Sequence, residues 1–131
     1  MATEKTLFTV TGIADEDLSS YQFHFVKKTA TGFALINSAA ESKRAMGVLQ
    51  NNPTEGQEAL VMFHGKSKVV ANAALAVGDK IKAEYVGAAD NGKAQATTTD
   101  KDYVNGEVWA ATTAEDELAE VILTHYTLSV T

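Results

Sequence analysis

Apolar and polar residues alternate with a period of two along much of this chain, which is the pattern of half-buried β-strands. In residues 80–86, Ile81, Ala83 and Tyr85 fall on one face and three charged residues fall on the other. Residues 20–29 show the same alternation, with three aromatic residues on one face. Glycine-containing turn signals separate such segments at regular spacing. The pattern therefore predicts a mainly β fold, an antiparallel β-sandwich or a barrel-like domain.

One segment departs from this alternation and favours a helix. Ser38 is followed three residues later by Glu41, which fits a capping box that satisfies two backbone N–H groups. Two basic residues lie near the end of the segment, where the helix dipole favours cations. Gly47 then suits a left-handed cap. We expect one short α-helix near residues 38–46.

A second pattern occurs twice, in residues 47–63 and 106–122. Aligned without a gap, the copies match Gly47 with Gly106, Leu49 with Val108, Thr54 with Thr113 and Glu58 with Glu117. Each copy reads as a glycine, a short apolar strand, a polar loop and a second apolar strand. No residue shared by both copies belongs to a recognisable catalytic motif, so the repeat indicates scaffold.

Length and charge limit the classes of function. The 131 residues are expected to form one domain, with residues 1–19 as an N-terminal arm or first strand and residues 20–131 as the β-rich body. The chain lacks cysteine, and it lacks an apolar stretch long enough to span a membrane. All of the net charge of −6 arises in residues 102–131. No cluster of lysine and arginine suits nucleic acid. We therefore expect neither a nucleic-acid nor a membrane partner.

Candidate catalytic and metal-binding groups are dispersed along the sequence. The three histidines, His24, His64 and His125, lie in separate predicted strands without the spacing of metal ligands. The acidic run at residues 15–17 reads as a turn rather than a calcium loop. Glu58 and Glu117 could supply two carboxylates, but they occupy equivalent places in the two copies. We expect no enzyme, no metal and no cofactor.

Two further segments leave alternatives open. The aromatic residues Trp109, Tyr85, Tyr103 and Tyr126 could form a stacking surface for sugars, although core packing is the expectation at alternating strand positions. Residues 6–11 form either the first strand of the domain or a strand that adds to the sheet of a partner.

Residues 32–128 resemble the small capsid cement, or head decoration, proteins of tailed bacteriophages. The likeness rests on a Gly-Val-Leu-Gln-Asn-x-Pro segment at residues 47–53, a strand ending in Gly65, a turn at residues 74–79 and the second glycine-led segment at residues 106–123. The resemblance implies a β-rich protein that docks on the outside of an assembled capsid and reinforces joints between major capsid proteins. It implies no catalytic residue.

The resemblance leads to a definite expectation of function. The protein would be a structural virion component on the capsid exterior, made in the host cytoplasm. It would bind the major capsid protein and form a homo-oligomer, with a trimer favoured. Leu7, Phe8 and Val10 are the predicted capsid-binding residues. The alternatives are a carbohydrate- or receptor-binding module that uses Trp109, and a small enzyme built on the acids or histidines.

Overall fold

The computed structural model describes residues 8–38, 45–85, 91–98 and 103–127, and for residues 8 and 125–127 it describes the backbone alone. The described residues form nine strands: β1 (Phe8–Ala14), β2 (Phe25–Lys28), β3 (Gly32–Leu35), β4 (Ala45–Leu49), β5 (Glu58–Val70), β6 (Lys80–Ala83), β7 (Ala94–Ala96), β8 (Tyr103–Ala110) and β9 (Leu118–Thr127). The prediction of a mainly β fold is confirmed. None of the described residues forms a helix that could cross a membrane.

The first half of the chain forms a five-stranded barrel. Its strands follow the order β1-β3-β2-β4-β5, and β1 also pairs with β5, which closes the ring. The β1–β3 contact is parallel and the others are antiparallel. Only the N-terminal part of the 13-residue strand β5 takes part. This ring is called the first barrel.

The second half repeats this arrangement around the other part of β5. Residues 65–70 pair with β9, followed by β8, β6 and β7. A parallel bridge between Ala71 and Ala94 joins β7 back to the end of β5. This ring is called the second barrel, and β5 is a strand of both.

The two barrels share one pairing register. Val10 lies opposite Val61 in the first barrel, and Ser67 lies opposite Val121 in the second. Val26 lies opposite Gly47, and Ile81 lies opposite Gly106. The parallel contact of Ala14 with Phe33 corresponds to that of Ala71 with Ala94. These matches extend the repeat far beyond the two segments that the sequence shows, so the fold is an internal duplication.

The turn that precedes the second strand of each barrel is also repeated. Phe23 and Gly78 both have positive φ, 66° and 90°. The Phe23 N–H donates to Leu49 O at 2.7 Å, and the Gly78 N–H donates to Val108 O at 2.9 Å. The same backbone conformation is therefore held in the same way twice, although glycine occupies it only once.

Each barrel is filled by the same seven positions. In the first barrel these are Ala14, Leu18, Val26, Phe33, Leu49, Ala59 and Val61, and in the second Ala71, Leu75, Ile81, Ala94, Val108, Ala119 and Val121. The largest difference is Phe33 against Ala94. This difference in side-chain volume is compensated at a neighbouring position, where Gly12 in the first barrel corresponds to Val69 in the second. A Cβ on Gly12 would lie 2.9 Å from Phe33 Cε2, so a large ring requires a glycine beside it.

The predicted helix near residues 38–46 is wrong. No described residue is helical, Ser38 lies in a bend, and Ala45 and Met46 belong to β4, which pairs with β2. Residues 39–44 lie outside the described part of the chain. Gly47 is not a left-handed cap but a strand residue packed against β5. Pairing across the barrel has overridden the local capping signal.

Candidate docking site at the mouth of the first barrel

The predicted capsid-binding residues lie on or before the first strand. Leu7 lies outside the described residues, and Phe8 begins β1 with only its backbone described. Val10 is 37% exposed, on the same face of β1 as the core residue Ala14. β1 itself pairs with β5 along residues 8–13 and with β3 at residues 13–14. Val10 therefore stands at the open end of the first barrel.

An apolar cleft occupies this end of the first barrel. Its volume is about 240 Å³, and it is lined by Val10, Thr11, Lys28, Phe33, Met46 and Phe63, which come from all five strands. Lys28 is the one charged residue among the described lining residues, and its Nζ lies 5.9 Å from the centroid of the Phe33 ring. The cleft can accept an apolar side chain beside a cation. No sequence pattern places Met46 and Phe63 in a site, because their positions depend on the barrel register.

The equivalent end of the second barrel carries two buried polar residues where the first barrel has apolar ones. Ser67 stands in place of Val10, and Gln50 Nε2 donates to its Oγ at 3.0 Å. Asn105 stands in place of Met46, is 0% exposed, and accepts from the Ala83 N–H at 3.2 Å. Asn105 Nδ2 has no hydrogen-bond partner in the described part of the chain. At these two positions the first barrel has the apolar residues Val10 and Met46, and the second barrel has polar residues.

The acidic turn after β1 braces the neighbouring hairpin. Asp15 accepts hydrogen bonds from the hydroxyls of Thr29 and Thr31, the second at 2.9 Å. Glu16 Oε2 accepts from the Leu35 N–H at 3.1 Å. These bonds hold the β2–β3 turn against the end of β1. Within the described ranges, no group of three or more histidine, aspartate or glutamate residues is placed to hold a metal ion.

This bracing makes stability depend on pH. The Thr29 and Thr31 hydroxyls, helped by the charge of Lys28, hold the pKa of Asp15 below its usual value. A depressed folded-state pKa gives stability that is present above the unfolded pKa and is lost as pH falls through the folded pKa. We expect Asp15→Asn to lower the Tm at pH 7, and the difference from wild type to shrink below about pH 4. Thermal melts across this range check it. An equal difference at every pH would contradict the assignment.

The histidines and the paired glutamates do not form one site among the described side chains. His24 is buried, with Nδ1 2.8 Å from Asn91 O, whereas His64 is exposed on β5. The side chain of His125 lies outside the part of the chain that the structure describes. Glu58 begins β5 in the first barrel, and Glu117 lies in the β8–β9 loop of the second. Glu117 Oε1 accepts from the Thr113 N–H at 2.7 Å, which lowers the pKa of Glu117 and gives it a structural role.

Trp109 is on the surface, so the expectation of core packing is wrong for this residue. It is 60% exposed on β8, because its neighbour Val108 occupies the inward position and the register shifts between Val108 and Ala110. Lys66 Nζ lies 5.5 Å from the Trp109 ring centroid and 2.7 Å from Glu120 Oε1. Tyr85 is also partly exposed, and the side chain of Tyr126 is not among those that the structure describes.

Comparison with known proteins identifies a fold relative. The chain matches the N base of the head fiber gp8.5 of bacteriophage phi29 with a TM-score of 0.64 and 16% sequence identity, over 95% of this chain and 100% of that one. No protein-family model matches the sequence, and no curated protein matches it. The likeness therefore establishes a shared fold along almost the whole chain.

Proposed function

We propose that this protein is a structural component of a phage virion that binds the outside of the assembled capsid and holds neighbouring major capsid proteins together. The observation that carries this proposal is the fold shared with the base of a phage head fiber, which extends over both barrels. The sequence resemblance to head decoration proteins supports the same assignment. The proposed role is not enzymatic, and the dispersal of the described acidic and histidine side chains agrees with that.

The proposed mechanism is binding energy rather than chemistry. A protein that binds only the assembled shell stabilises it by mass action, and the gain grows as its concentration exceeds the dissociation constant. Repeated sites on a symmetric lattice add avidity, most strongly if the protein is a trimer placed on local three-fold axes. Neither step requires a cofactor.

The cleft of the first barrel is the surface proposed for capsid contact. Apolar side chains at the centre of an interface supply most of its binding energy. Val10, Met46 and Phe63 provide such a centre, and Lys28 provides a polar rim. In the second barrel, Ser67 and Asn105 replace Val10 and Met46 and both are buried, so these positions offer no comparable apolar anchor.

A charge placed in the cleft is the direct test of this surface. We expect Val10→Asp to weaken binding to bare capsids by more than about tenfold, because a carboxylate would be desolvated among apolar side chains. Val77→Asp is the matched control, since Val77 is 68% exposed in a turn of the second barrel. Co-sedimentation titrations measure both. Equal binding by the two variants would rule out the cleft as the contact surface.

A second candidate function is recognition of a carbohydrate or receptor on the host surface. The exposed Trp109 ring, with Lys66 over it and an ion pair beside it, favours this candidate. Trp109→Ala distinguishes the two functions. It should leave capsid binding unchanged, and a loss of binding to a glycan array by this variant would support the second candidate.

A further inference from the structure

Within the described part of the chain, the first part of β1 has an edge with no strand paired to it. The Ala14 N–H donates to the O of Gln57, the residue just before β5, at 2.9 Å. Since bonding alternates along an antiparallel pair, the backbone groups of Val10 and Gly12 also face β5, and those of Thr9 and Thr11 face away. On that outer side β3 pairs only with Ile13 and Ala14. No described strand pairs with Thr9–Gly12 there, so two N–H and two C=O groups form an open edge.

The second barrel shows how this kind of edge is protected. Its residues equivalent to Thr9 and Thr11 are Lys66 and Lys68, both exposed on β5. Lysine on an edge strand discourages another strand from pairing, because its charge would be buried. Thr9 and Thr11 are also exposed but uncharged, and both favour extended structure. The first barrel therefore lacks the edge lysines that the second barrel carries at the equivalent positions.

The apolar cleft lies directly beside this open edge. Val10 and Thr11 belong to both features, and Phe33, Met46 and Phe63 complete the apolar lining. A strand that pairs with Thr9 and Thr11 would place alternate side chains into the cleft, which is the arrangement by which sheet edges bind extended peptides. Lys28 is the one charge in the part of the lining that the structure describes, so a carboxylate on the incoming strand is the complementary group.

We propose that the β1 edge receives an extended segment of the major capsid protein, apolar at alternate positions and carrying a carboxylate that reaches Lys28. This inference rests on the proposed function and adds its mode of contact, β-strand addition to the first barrel. The occupant is a segment of the capsid protein, because the proposed function places this cleft against the capsid and the Lys28 cation favours a segment that carries a carboxylate.

Amide hydrogen exchange on capsid-bound protein tests the mode of contact without any substitution. The Thr9 and Thr11 amides should become protected when bare capsids are added, and those of Lys66 and Lys68 should not change. Binding without protection at Thr9 and Thr11 would overturn strand addition and leave the proposed function standing. No binding at all would remove the proposed function. Protection that grows with protein concentration before capsids are added would make a second copy the occupant and overturn the proposal.

A pair of substitutions at one position gives an independent test. Thr11→Pro removes the outward N–H, whereas Thr11→Ala keeps it and removes only the hydroxyl. We expect Thr11→Pro to bind capsids about five- to tenfold more weakly than Thr11→Ala. The loss of one hydrogen bond, together with poor packing of the proline ring against the incoming strand, accounts for a change of this size. Equal affinities for two folded variants would overturn the proposal. If Thr11→Pro does not fold, the exchange measurement decides.

Discussion

Gly47→Ala is expected to lower the free energy of unfolding by about 2–4 kcal/mol. A Cβ on Gly47 would lie 2.2 Å from Met62 O and 2.8 Å from Met62 C, so backbone atoms of β5 would have to move. Backbone cannot rotate out of the way as a flexible side chain can. β4 pairs with β5 beside this glycine, at Val48 and Leu49, so the clash falls on a ladder that helps to close the first barrel.

Gly56→Ala is the matched control for this prediction. Gly56 has a φ of 85°, and a Cβ there would have no neighbour within 4 Å. Its replacement introduces only the conformational strain of a non-glycine residue at positive φ, about 1 kcal/mol. Urea unfolding of both variants measures the difference. A smaller loss for Gly47→Ala than for Gly56→Ala would contradict the close packing of β4 on β5.

Phe33→Ala is expected to destabilise the protein by about 3–5 kcal/mol, because it empties the core of the first barrel. Gly12→Val alone should also destabilise, by about 1–3 kcal/mol, since its side chain meets the Phe33 ring. The second barrel carries Val69 and Ala94 at these two positions, and both are buried. The double variant should therefore be more stable than the sum of the single effects, by about 1–2 kcal/mol.

A double-mutant cycle from chemical unfolding measures this coupling. Its sign is the decisive quantity, because the duplication predicts that the two residues compensate for each other. Additive losses, with no coupling between positions 12 and 33, would show that the barrels do not share one packing arrangement. Met46→Ala, in place of Phe33→Ala, serves as a control. Met46 is only partly buried, and the second barrel carries a polar residue at the equivalent position.

The sequence predicted the strand content because alternation is a local property. It also revealed one part of the duplication, at Gly47 and Gly106, where glycine is required by the same close approach to the next strand. The gapless alignment fails by one residue after the hairpin loops, since Ala59 and Val61 correspond to Ala119 and Val121. The remaining repeats carry little identity, because a barrel position demands size and burial rather than a particular residue.

The candidate site was predictable only in part. Val10 was identified from the apolar N-terminal segment, and it lines the cleft. Met46 falls in the segment for which the capping residues predict a helix, and its place in the cleft depends on the pairing of β4 with β2 and β5. Trp109 was expected in the core, because alternation alone does not tell which face of a strand is inward when a register shift intervenes.

Deletion of the N-terminal segment would not separate docking from folding. Deleting residues 1–12 would remove most of β1, which pairs with β5 from Phe8 onward and closes the first barrel. A loss of capsid binding after such a deletion would then reflect a damaged fold. Single substitutions at exposed positions such as Val10 and Thr11 preserve the strand and separate docking from folding.

The most direct test of the proposed function is to mix the purified protein with bare capsids of its phage. The proposal predicts saturable co-sedimentation at a fixed ratio of this protein to the major capsid protein. It also predicts a rise in the melting temperature of the particle as the sites fill. Protein that stays in the supernatant at saturating concentration, with an unchanged particle melting temperature, would contradict a capsid-binding role.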